Sequence, residues 1–475
     1  MINLPSELQS FLSSLSDISK PYLVGGCVRD SLLGIEPKDW DIEIFDVPFE
    51  KLEASLTDIY GSDKVVSCGK SFGVLKVKLD TLTVDVALPR TEEKTGLGYK
   101  CFEVTTNPNL SLKEACSRRD FTINALMYDP QTEQALDFFG GESDLKYHIL
   151  RAVSPSSFVE DPLRLLRGFQ FCARFGLVVE ENTKKLAKQI TKEEWKSLAP
   201  DRIWCEWEKF LNKGTELHLG LQALVDLNIL QYYPELEALV GSEQNPVWHP
   251  EGDVWVHTKF VCAYAGYYTK DFTDLVSKKI VRLACLCHDL GKPETQTINV
   301  RGTISNPRHG NCTETVTNFL NRIYCPVKYH SSVQSLVKEH LNWSPQKGQE
   351  VLSDKAILAL VERLAPATLA ELTYVVHADI SGRPPLPTDL PKEMINLLRR
   401  AEELGLDIYS PGIKPLVTGE DLKGLGFIEG VYLGEALKET KKMQTKHPNW
   451  TKEELLVWAD KQFSKTKRKC KNQQG

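Results

Sequence analysis

The sequence predicts an α+β protein of several domains, in which a small mixed sheet with helices precedes a series of helical domains. Three observations lead to this prediction. The chain has 475 residues, too many for a single compact core. Short runs in which apolar and polar residues alternate, as they do in strands, lie mainly before residue 150. From Val159 onward the apolar spacing becomes that of helices.

Composition limits the classes of function. The formal net charge is −6, so overall charge does not indicate a nucleic-acid partner and any basic surface must be local. Residues 461–475 carry six Lys or Arg and no acid, which suits either a solvated disordered tail or an RNA-contacting one. The twelve cysteines include no Cys-x-x-Cys pair, which argues against a zinc knuckle and a disulfide framework.

The sequence also bears on location. The N-terminus has neither a charged region nor a long apolar run, so we expect no signal peptide. No apolar stretch approaches the length of a membrane span. We therefore expect a cytoplasmic protein whose thiols are reduced.

The first candidate site is a glycine turn. The apolar run 22–24 is followed by Gly25 and Gly26 and then by a helical pattern that ends at Gly34. A strand, a glycine turn and a helix start together can direct backbone N–H groups at a phosphate. Arg29 adds a permanent positive charge, so this stretch predicts a phosphate site.

The second candidate site is the pair Asp39 and Asp41. The alternation around Trp40 predicts a strand, on which residues i and i+2 share a face. Two carboxylates on one face repel each other unless a cation lies between them, and Mg²⁺ prefers such oxygen ligands together with substrate phosphates. The alternative is a solvated strand face. The glycine turn shortly before favours a nucleoside-triphosphate site with its metal.

Further polar groups follow in and after the predicted sheet. Residues 64–68, 73–79 and 82–87 alternate like adjacent antiparallel strands, and Asp85 lies in the last of them. Residues 90–102 are polar and glycine-rich, which predicts a mobile loop. Arg118, Arg119 and Asp120 directly precede a buried strand. An edge-strand acid and a strand-edge ion cluster are the alternatives to functional roles for these residues.

The helical region begins with Asp161 and Pro162, and proline is allowed in a first turn. Asp161 and Arg164 are three residues apart, so we expect them to share one helical face. A surface ion pair is the alternative. A shift to Pro, Gly and Asn between residues 240 and 252 indicates a domain boundary.

Several of these motifs together resemble a known family. Those that carry the resemblance are Gly25-Gly26-x-Val28-Arg29-Asp30, Leu33-Gly34, Asp39-x-Asp41, Arg118-Arg119-Asp120 and Glu160-Asp161-x-x-Arg164. They resemble the class II tRNA nucleotidyltransferase and bacterial poly(A) polymerase family, which belongs to the polymerase-β-like nucleotidyltransferases. The resemblance implies the catalytic carboxylates Asp39, Asp41 and Asp85, with Mg²⁺ held by Asp39 and Asp41. It also implies a nucleotide site, in which the Arg-Arg-Asp motif contacts the ribose and Asp161 with Arg164 selects the base. The residues of this site are Gly25, Gly26, Arg29, Arg118, Arg119, Asp120, Asp161, Arg164 and Arg167.

A histidine-rich region follows the boundary, where His257, the dipeptide His288-Asp289 and the later Asp379 resemble the HD phosphohydrolase signature. Imidazoles and carboxylates together suit a borderline transition metal. The resemblance implies that these four residues bind such an ion, for example Ni²⁺ or Mn²⁺. Asn311 and Cys312 occupy the region where a second histidine often occurs, which leaves a second metal open. The alternative is a helical scaffold whose histidines only pack.

The resulting prediction has four domains: a polymerase-β-like head over 1–150, an all-helical neck over 151–240, an HD domain over 241–387 and a helical tail over 388–475. The resemblance implies that the neck binds the nucleotide base and RNA and that the tail binds tRNA. The resemblance implies addition of CCA to the 3′ end of tRNA from CTP and ATP without a template, with a metal-dependent phosphatase or 2′,3′-cyclic phosphodiesterase in the HD domain. We expect no DNA or membrane partner, and either a monomer or a homodimer.

Three alternatives remain at this stage. Within the same class, the chain could be a poly(A) polymerase or an enzyme that adds only CC or only A. From other classes, it could be mainly an HD phosphohydrolase with a degenerate head, or an RNA-binding protein without activity. The presence of Asp39, Asp41, Asp161 and Arg164 argues against these last two.

Overall fold

A mixed β-sheet organises the N-terminal part of the chain. The computed structural model describes residues 2–67, 73–96 and 102–463. The strands of this part are β1 (Lys20–Val24), β2 (Trp40–Phe45), β3 (Val65–Ser67), β4 (Val74–Lys78), β5 (Thr83–Ala87), β6 (Arg90–Lys94), β7 (Phe102–Thr106), β8 (Leu126–Asp129) and β9 (Gln134–Asp137).

Within the described ranges, seven of these strands form one sheet in the order β3-β4-β5-β2-β1-β8-β9. Strands β2 and β5 run parallel, and the other neighbouring pairs are antiparallel. The antiparallel pairing predicted for the strands around residues 64–87 is confirmed. The parallel pairing was not predicted, and its register places Asp41 opposite Asp85.

The predicted loop over residues 90–102 begins and ends in strands instead. Strands β6 and β7 pair in antiparallel register from Arg90 opposite Thr106 to Lys94 opposite Phe102. Residues 97–101 lie outside the described residues. The glycines that favour a loop are at positions 96 and 98, beyond the end of β6, so the loop prediction is wrong for the paired residues.

Five helices accompany the sheet in the described part of the head: α1 (Ser6–Ile18), α2 (Gly26–Leu32), α3 (Phe49–Tyr60), α4 (Leu112–Ser117) and α5 (Gly141–Lys146). Helix α1 buries Leu8, Phe11, Leu12 and Leu15, the i, i+3, i+4, i+7 spacing of a helix packed on one face. Helix α2 follows β1 through the glycine turn, and its Cys27, Val28 and Arg29 are buried.

The segment after the head is mainly helical, as predicted. Its elements are β10 (Ile149–Leu150), α6 (Pro155–Glu160), α7 (Leu163–Phe175), β11 (Val178–Val179), α8 (Glu181–Ala187), α9 (Lys192–Lys196), α10 (Pro200–Lys213) and α11 (Leu217–Asp226). The short parallel pair of β10 and β11 makes it not entirely helical. Helix α7 packs on α10 and α11, and Phe169 stacks on Phe210 with ring centroids 4.5 Å apart.

The rest of the described chain is helical except for one small hairpin. Its elements are α12 (Pro234–Glu237), α13 (Val254–Tyr268), α14 (Leu275–Cys287), α15 (Lys292–Thr295), β12 (Thr297–Ile298), β13 (Ile304–Ser305), α16 (Thr313–Arg322), α17 (His330–Glu339), α18 (Asp354–Leu364), α19 (Leu369–Ser381), α20 (Lys392–Glu403), α21 (Gly419–Gly424), α22 (Val431–Lys446) and α23 (Lys452–Gln462). Helix α13 packs on α14 and α19, and α14 packs on α17. This arrangement brings the histidine-bearing segments together.

The last helices have a core of their own, with Leu422, Leu433, Ala436 and Leu455 among its buried residues. The basic stretch 461–475 falls mostly on residues 464–475, which lie outside the described residues. Contacts divide the chain into two units, Met1–Tyr232 and Tyr233–Gly475. The finer division into four domains stays a prediction. No helix among the described residues combines the length and apolar character needed to cross a membrane.

Candidate active sites

A cleft of about 500 Å³ in the N-terminal unit contains most of the residues predicted to bind a nucleotide. Positive side chains dominate its described lining, which has nine Arg or Lys and three Asp. The cations are Arg29, Arg90, Arg118, Arg119, Arg164, Arg167, Arg174, Arg202 and Lys209, and the acids are Asp41, Asp120 and Asp161. Such an excess of positive charge in a concave site suits a polyphosphate.

The glycine turn forms one edge of this cleft. Gly25 has a φ of +74°, and a Cβ there would lie 2.5 Å from Nη1 of Arg119, so only glycine fits without displacing Arg119. Arg29, one turn into α2, donates from Nε to Oδ1 of Asp30 at 2.8 Å and lies over the Phe175 ring at 4.5 Å. Arg29 is only 4% exposed, so it provides a fixed positive charge.

Two of the three predicted carboxylates are direct neighbours in the sheet. Asp41 and Asp85 are register partners on the parallel strands β2 and β5, and Asp39 immediately precedes β2. Asp41 is exposed to solvent, but the surrounding protein desolvates its carboxylate and raises its pKa. The charge of Arg119 opposes this rise, whereas the charges of Asp85 and Asp39 add to it. Asp85 also pairs with Lys76 at 2.8 Å. Carboxylates that crowd in this way fit a divalent cation such as Mg²⁺.

Arg118 and Arg119 both contact Glu43, a buried residue of β2. Nη2 of Arg119 lies 3.2 Å from Oε1 of Glu43, and Nη2 of Arg118 donates to the same oxygen. Arg118 and Arg119 therefore do form an ion cluster, the alternative that the sequence left open for them. Both arginines also line the cleft, so the cluster fixes them where a ligand would bind.

Asp120 is the centre of a second buried network. Its carboxylate accepts hydrogen bonds from Nδ2 of Asn124 at 2.9 Å and from Nε of Arg167 at 2.6 Å. Burial raises the pKa of Asp120, but Arg167 and Asn124 outweigh this effect and lower the pKa to about 2. The side chain is therefore ionised at any physiological pH and holds Arg167 in the cleft.

Asp161 and Arg164 both line the cleft but do not share a helical face, which corrects the prediction. Helix α6 ends at Glu160 and α7 begins at Leu163, while Asp161 is extended with φ −116° and ψ 103°. The cause is Pro162, because proline disfavours the helical conformation in the residue before it.

The side chains of Arg164 and Asp161 contact different partners. Arg164 donates to the backbone O of Arg118 at 2.6 Å and to that of Arg119 at 3.2 Å. Oδ2 of Asp161 lies 3.5 Å from Nη2 of Arg202. Arg164 therefore fixes the backbone of the Arg-Arg-Asp motif from the facing helix.

Arg174 and Lys209 also line the cleft and were not among the predicted nucleotide-binding residues. Burial, together with the charge of Arg29, lowers the pKa of Arg174 to about 10. A signal for Arg174 existed, because Arg164, Arg167 and Arg174 recur at the spacing of one helical face. Lys209 lies on α10, and no spacing within one element relates it to the cleft.

In the C-terminal unit, the four predicted HD residues converge. Nε2 of His257 lies 3.2 Å from Oδ1 of Asp379, and Nε2 of His288 lies 3.1 Å from Oδ2 of Asp289. The two Nε2 atoms are 3.3 Å apart. Imidazole nitrogens and carboxylate oxygens thus face one small volume.

A second group shares Asp289. Its Oδ1 lies 3.1 Å from Nε2 of His309, which in turn lies 3.2 Å from Nε2 of His340. His309 and His340 are missing from the predicted ligand set. The two oxygens of Asp289 face the two groups separately, so this carboxylate could bridge two cations.

The ring orientations fit metal binding. Nδ1 of His288, His309 and His340 faces a backbone carbonyl, of Cys285 at 2.8 Å, Asn306 at 2.8 Å and Val337 at 2.6 Å respectively. Such contacts place the proton on Nδ1 and direct the Nε2 lone pair inward.

The pKa values of His340 and His257 are also consistent with binding of a metal cation. Burial, with the charges of His288 and His309, lowers the pKa of His340 to about 4, which keeps the neutral form that metals require. Burial also lowers the pKa of His257, but Asp379 and Glu251 outweigh this and raise it to about 9. The carboxylates therefore favour a positive charge at His257, which a metal ion would supply.

Comparisons with known proteins identify two domain families in the chain. The profile of the Poly A polymerase head domain matches residues 21–151, and that of the HD domain matches residues 254–379. The chain is 34% identical over 373 residues to a multifunctional CCA protein of Stenotrophomonas maltophilia. The aligned region covers 77% of this chain and 86% of that protein.

Two solved structures have a similar fold. A Bacillus stearothermophilus CCA-adding enzyme in complex with CTP is 21% identical, with a TM-score of 0.61 and 98% of each chain covered. A Thermotoga maritima CCA-adding enzyme complexed with tRNA-CCA is 20% identical, with a TM-score of 0.55 and coverage of 95% of this chain and 94% of that chain.

Proposed function

The chain belongs to the multifunctional CCA protein family, and on that premise we propose that it adds C, C and A to the 3′ end of tRNA from CTP and ATP and also hydrolyses phosphate esters. The observation that carries the first activity is the cleft itself, in which nine cations lie beside a group of carboxylates. We propose a cytoplasmic enzyme whose partner is tRNA and which binds neither DNA nor a membrane. Whether it is a monomer or a homodimer stays a prediction.

The reaction proposed for the head is attack of the tRNA 3′-hydroxyl on the α-phosphate of the incoming nucleotide, with pyrophosphate as the leaving group. Asp39 and Asp41 would hold Mg²⁺, which when bound would activate the hydroxyl and stabilise the leaving oxygens, and Asp85 would be the third catalytic carboxylate. Gly25 and Gly26 allow the backbone to approach the triphosphate. The guanidinium groups along the cleft, beginning with Arg29, neutralise its charge.

Selection of the nucleotide is assigned to two motifs. A donor and acceptor set such as Arg118, Arg119 and Asp120 is what recognition of a ribose 2′-hydroxyl requires. Cytosine and adenine both offer an amino donor beside a ring-nitrogen acceptor, an edge that a carboxylate with a guanidinium complements. Asp161 and Arg164 can thus accept CTP and ATP and refuse UTP and GTP. The backbone contacts of Arg164 to Arg118 and Arg119 connect the two motifs.

Replacement of Arg164 tests this assignment. Arg164→Ala removes one half of the base-selecting pair, and the loss of a buried polar partner costs roughly 1–3 kcal/mol. We expect the kcat/KM for CTP to fall while the values for UTP and GTP change less, so that the discrimination ratio decreases by about tenfold or more.

The matched control is Arg151→Ala, because Arg151 pairs with Asp144 and is not among the described lining of the cleft. This variant should keep the wild-type ratios. Unchanged discrimination in Arg164→Ala, measured across all four nucleotides, would mean that another group selects the base.

The second proposed activity is metal-dependent hydrolysis of phosphomonoesters or 2′,3′-cyclic phosphates at the HD centre. His257, His288, Asp289 and Asp379 would hold one divalent transition ion, such as Ni²⁺ or Mn²⁺, and Asp289 with His309 and His340 would hold a second. An ion bound in this way supplies a hydroxide nucleophile near neutral pH. Lys292, whose Nζ lies 2.7 Å from Oδ2 of Asp289, adds a positive charge to this centre.

The two activities act on the same end of the tRNA. A 2′,3′-cyclic phosphate at a damaged tRNA end has no free 3′-hydroxyl, so the head has no nucleophile to use. Hydrolysis of the cyclic phosphate and then of the remaining monoester restores the hydroxyl. The combination therefore suits repair as well as maturation of tRNA.

Metal stoichiometry tests the HD centre. We expect the wild type to bind two transition ions at this centre and His340→Ala to bind one, because only one group loses a ligand. The control is His330→Ala, since His330 is buried but its Nε2 faces the carbonyl of Cys325 at 3.0 Å. Two ions in both proteins would contradict the assignment of His340 as a ligand, and one ion in the wild type would exclude the second ion.

A further inference from the structure

Glu251 contacts two histidines at the edge of the HD centre. Its side chain is fully buried, and its Oε1 lies 2.7 Å from Nδ1 of His257 and 2.9 Å from Nδ1 of His249. Glu251 precedes α13, the helix that carries His257. Neither Glu251 nor His249 is part of the ligand sets described above, so the buried carboxylate requires an explanation of its own.

The contact with His257 determines which of its nitrogens is free. An ionised carboxylate only accepts hydrogen bonds, so Nδ1 of His257 must carry the proton. The carbonyl O of Gly382, 3.2 Å from the same Nδ1, is a second acceptor. In the neutral ring Nε2 then carries the lone pair, and it is the atom that faces Asp379 at 3.2 Å and His288 at 3.3 Å.

The contact with His249 reaches the centre by a second route. Nδ1 of His249 donates to Glu251, so its Nε2 is an acceptor, and Nζ of Lys292 lies 3.5 Å away. The same ammonium lies 2.7 Å from Oδ2 of Asp289. Glu251 is therefore connected to one ligand, His257, directly and to another, Asp289, through His249 and Lys292.

We infer that Glu251 is a positioning residue of the HD centre, which fixes His257 with Nε2 toward the metal and His249 with Nε2 toward Lys292. The inference rests on the proposed function of this centre as a metal-dependent phosphohydrolase. Carboxylates that accept a hydrogen bond from the outer nitrogen of a ligand histidine set its ring orientation and raise its basicity. Their removal typically weakens metal binding by about 10–100-fold.

Co²⁺ alone is a suitable probe, because its visible spectrum reports the ligands and geometry of the ion. Full-length wild type, Glu251→Met and Glu251→Gln would be titrated with Co²⁺, and circular dichroism would confirm that each variant is folded. Methionine keeps the approximate volume and removes both acceptors, so we expect Co²⁺ to bind about 10–100-fold more weakly, with an altered spectrum. The carbonyl oxygen of glutamine can still accept both hydrogen bonds, so we expect a loss of only about three- to tenfold.

The matched control is Glu371→Gln, because Glu371 is also a buried carboxylate of this unit but bonds Ser277 and Thr368 instead. Its affinity for Co²⁺ should equal that of the wild type. Wild-type affinity and spectrum in Glu251→Met would overturn the inference; if that variant does not fold, wild-type affinity in Glu251→Gln would do so. A wild type that shows no imidazole-ligated Co²⁺ would instead contradict the metal centre itself, and the inference with it.

Discussion

At the scale of single residues, the cleft is built from side chains that hold one another in place before any ligand arrives. Asp120 holds Arg167, Glu43 holds Arg118 and Arg119, and Arg164 holds the backbone between them. Positive groups fixed in this way need little reorganisation when a triphosphate binds, which is the basis of electrostatic preorganisation.

The network around Asp120 predicts a specific dependence of stability on pH. The folded-state pKa of about 2 is below the ordinary value of 3.8, so the stabilisation is present above the ordinary value and is lost as the pH falls through about 2. We expect Asp120→Asn to lower the free energy of unfolding by at least about 2 kcal/mol near neutral pH. Urea unfolding should show this difference shrinking between about pH 4 and pH 2.

A control separates this effect from general acid unfolding. Asp80 pairs with Lys64 at 3.2 Å in an exposed position, so Asp80→Asn should change stability little at any pH. A difference between wild type and Asp120→Asn that did not change with pH would show that the charge of Asp120 is not what stabilises the fold.

Local spacing in the sequence predicted part of the candidate sites. Asp41 lies on β2, as the two-residue period predicted, whereas Asp39 immediately precedes that strand. Lys209, His309 and His340 were not among the predicted site residues, because their proximity to the two centres depends on how separate segments pack. No period within one segment encodes that packing.

At the scale of elements, the strand, turn and helix around Gly25 determine the position of Arg119. The turn requires a positive φ, and the space that a Cβ would occupy at Gly25 is filled by the guanidinium of Arg119. Gly34, at the other end of α2, also has a positive φ of 70°, but a Cβ there would meet no described atom within 4 Å. These two glycines allow backbone strain and displacement of Arg119 to be measured separately.

We therefore expect Gly25→Ala and Gly34→Ala each to lose stability, by about 1 kcal/mol or more, because both place alanine at a positive φ. Only Gly25→Ala should also raise the KM for CTP, by about tenfold or more, since Arg119 must move. Steady-state kinetics with thermal unfolding of both variants would measure this. Equal KM values in the two variants would mean that the turn has no role in placing Arg119.

The elements also show where local sequence was misleading. The pattern over 90–102 predicted a loop because of its glycines, whereas β6 and β7 pair on either side of them. Asp161 was placed on a helix by its spacing from Arg164, although Pro162 already indicated an extended residue. The parallel pairing of β2 with β5 depends on the order of strands in the sheet, which alternation does not encode.

At the scale of the whole molecule, each candidate centre is built within one unit. The described lining of the cleft comes from Met1–Tyr232, and the two groups around Asp289 come from Tyr233–Gly475. Their order along the chain was predictable because each group of motifs is contiguous in sequence. It follows that substitutions in one centre should leave the chemistry of the other intact.

The most direct test of this account uses a tRNA transcript that lacks CCA and ends in a 2′,3′-cyclic phosphate, beside a matched transcript with a free 3′-hydroxyl. Each is incubated with CTP, ATP, Mg²⁺ and Ni²⁺ or Mn²⁺, and product lengths are resolved on a gel. The wild type should convert both to tRNA ending in CCA. Asp41→Ala should open the cyclic phosphate without extending either transcript, and His288→Ala with Asp289→Ala should extend only the transcript with a free hydroxyl. A wild type that extends neither transcript, or an HD double variant that extends the blocked transcript as well as the wild type does, would contradict the account.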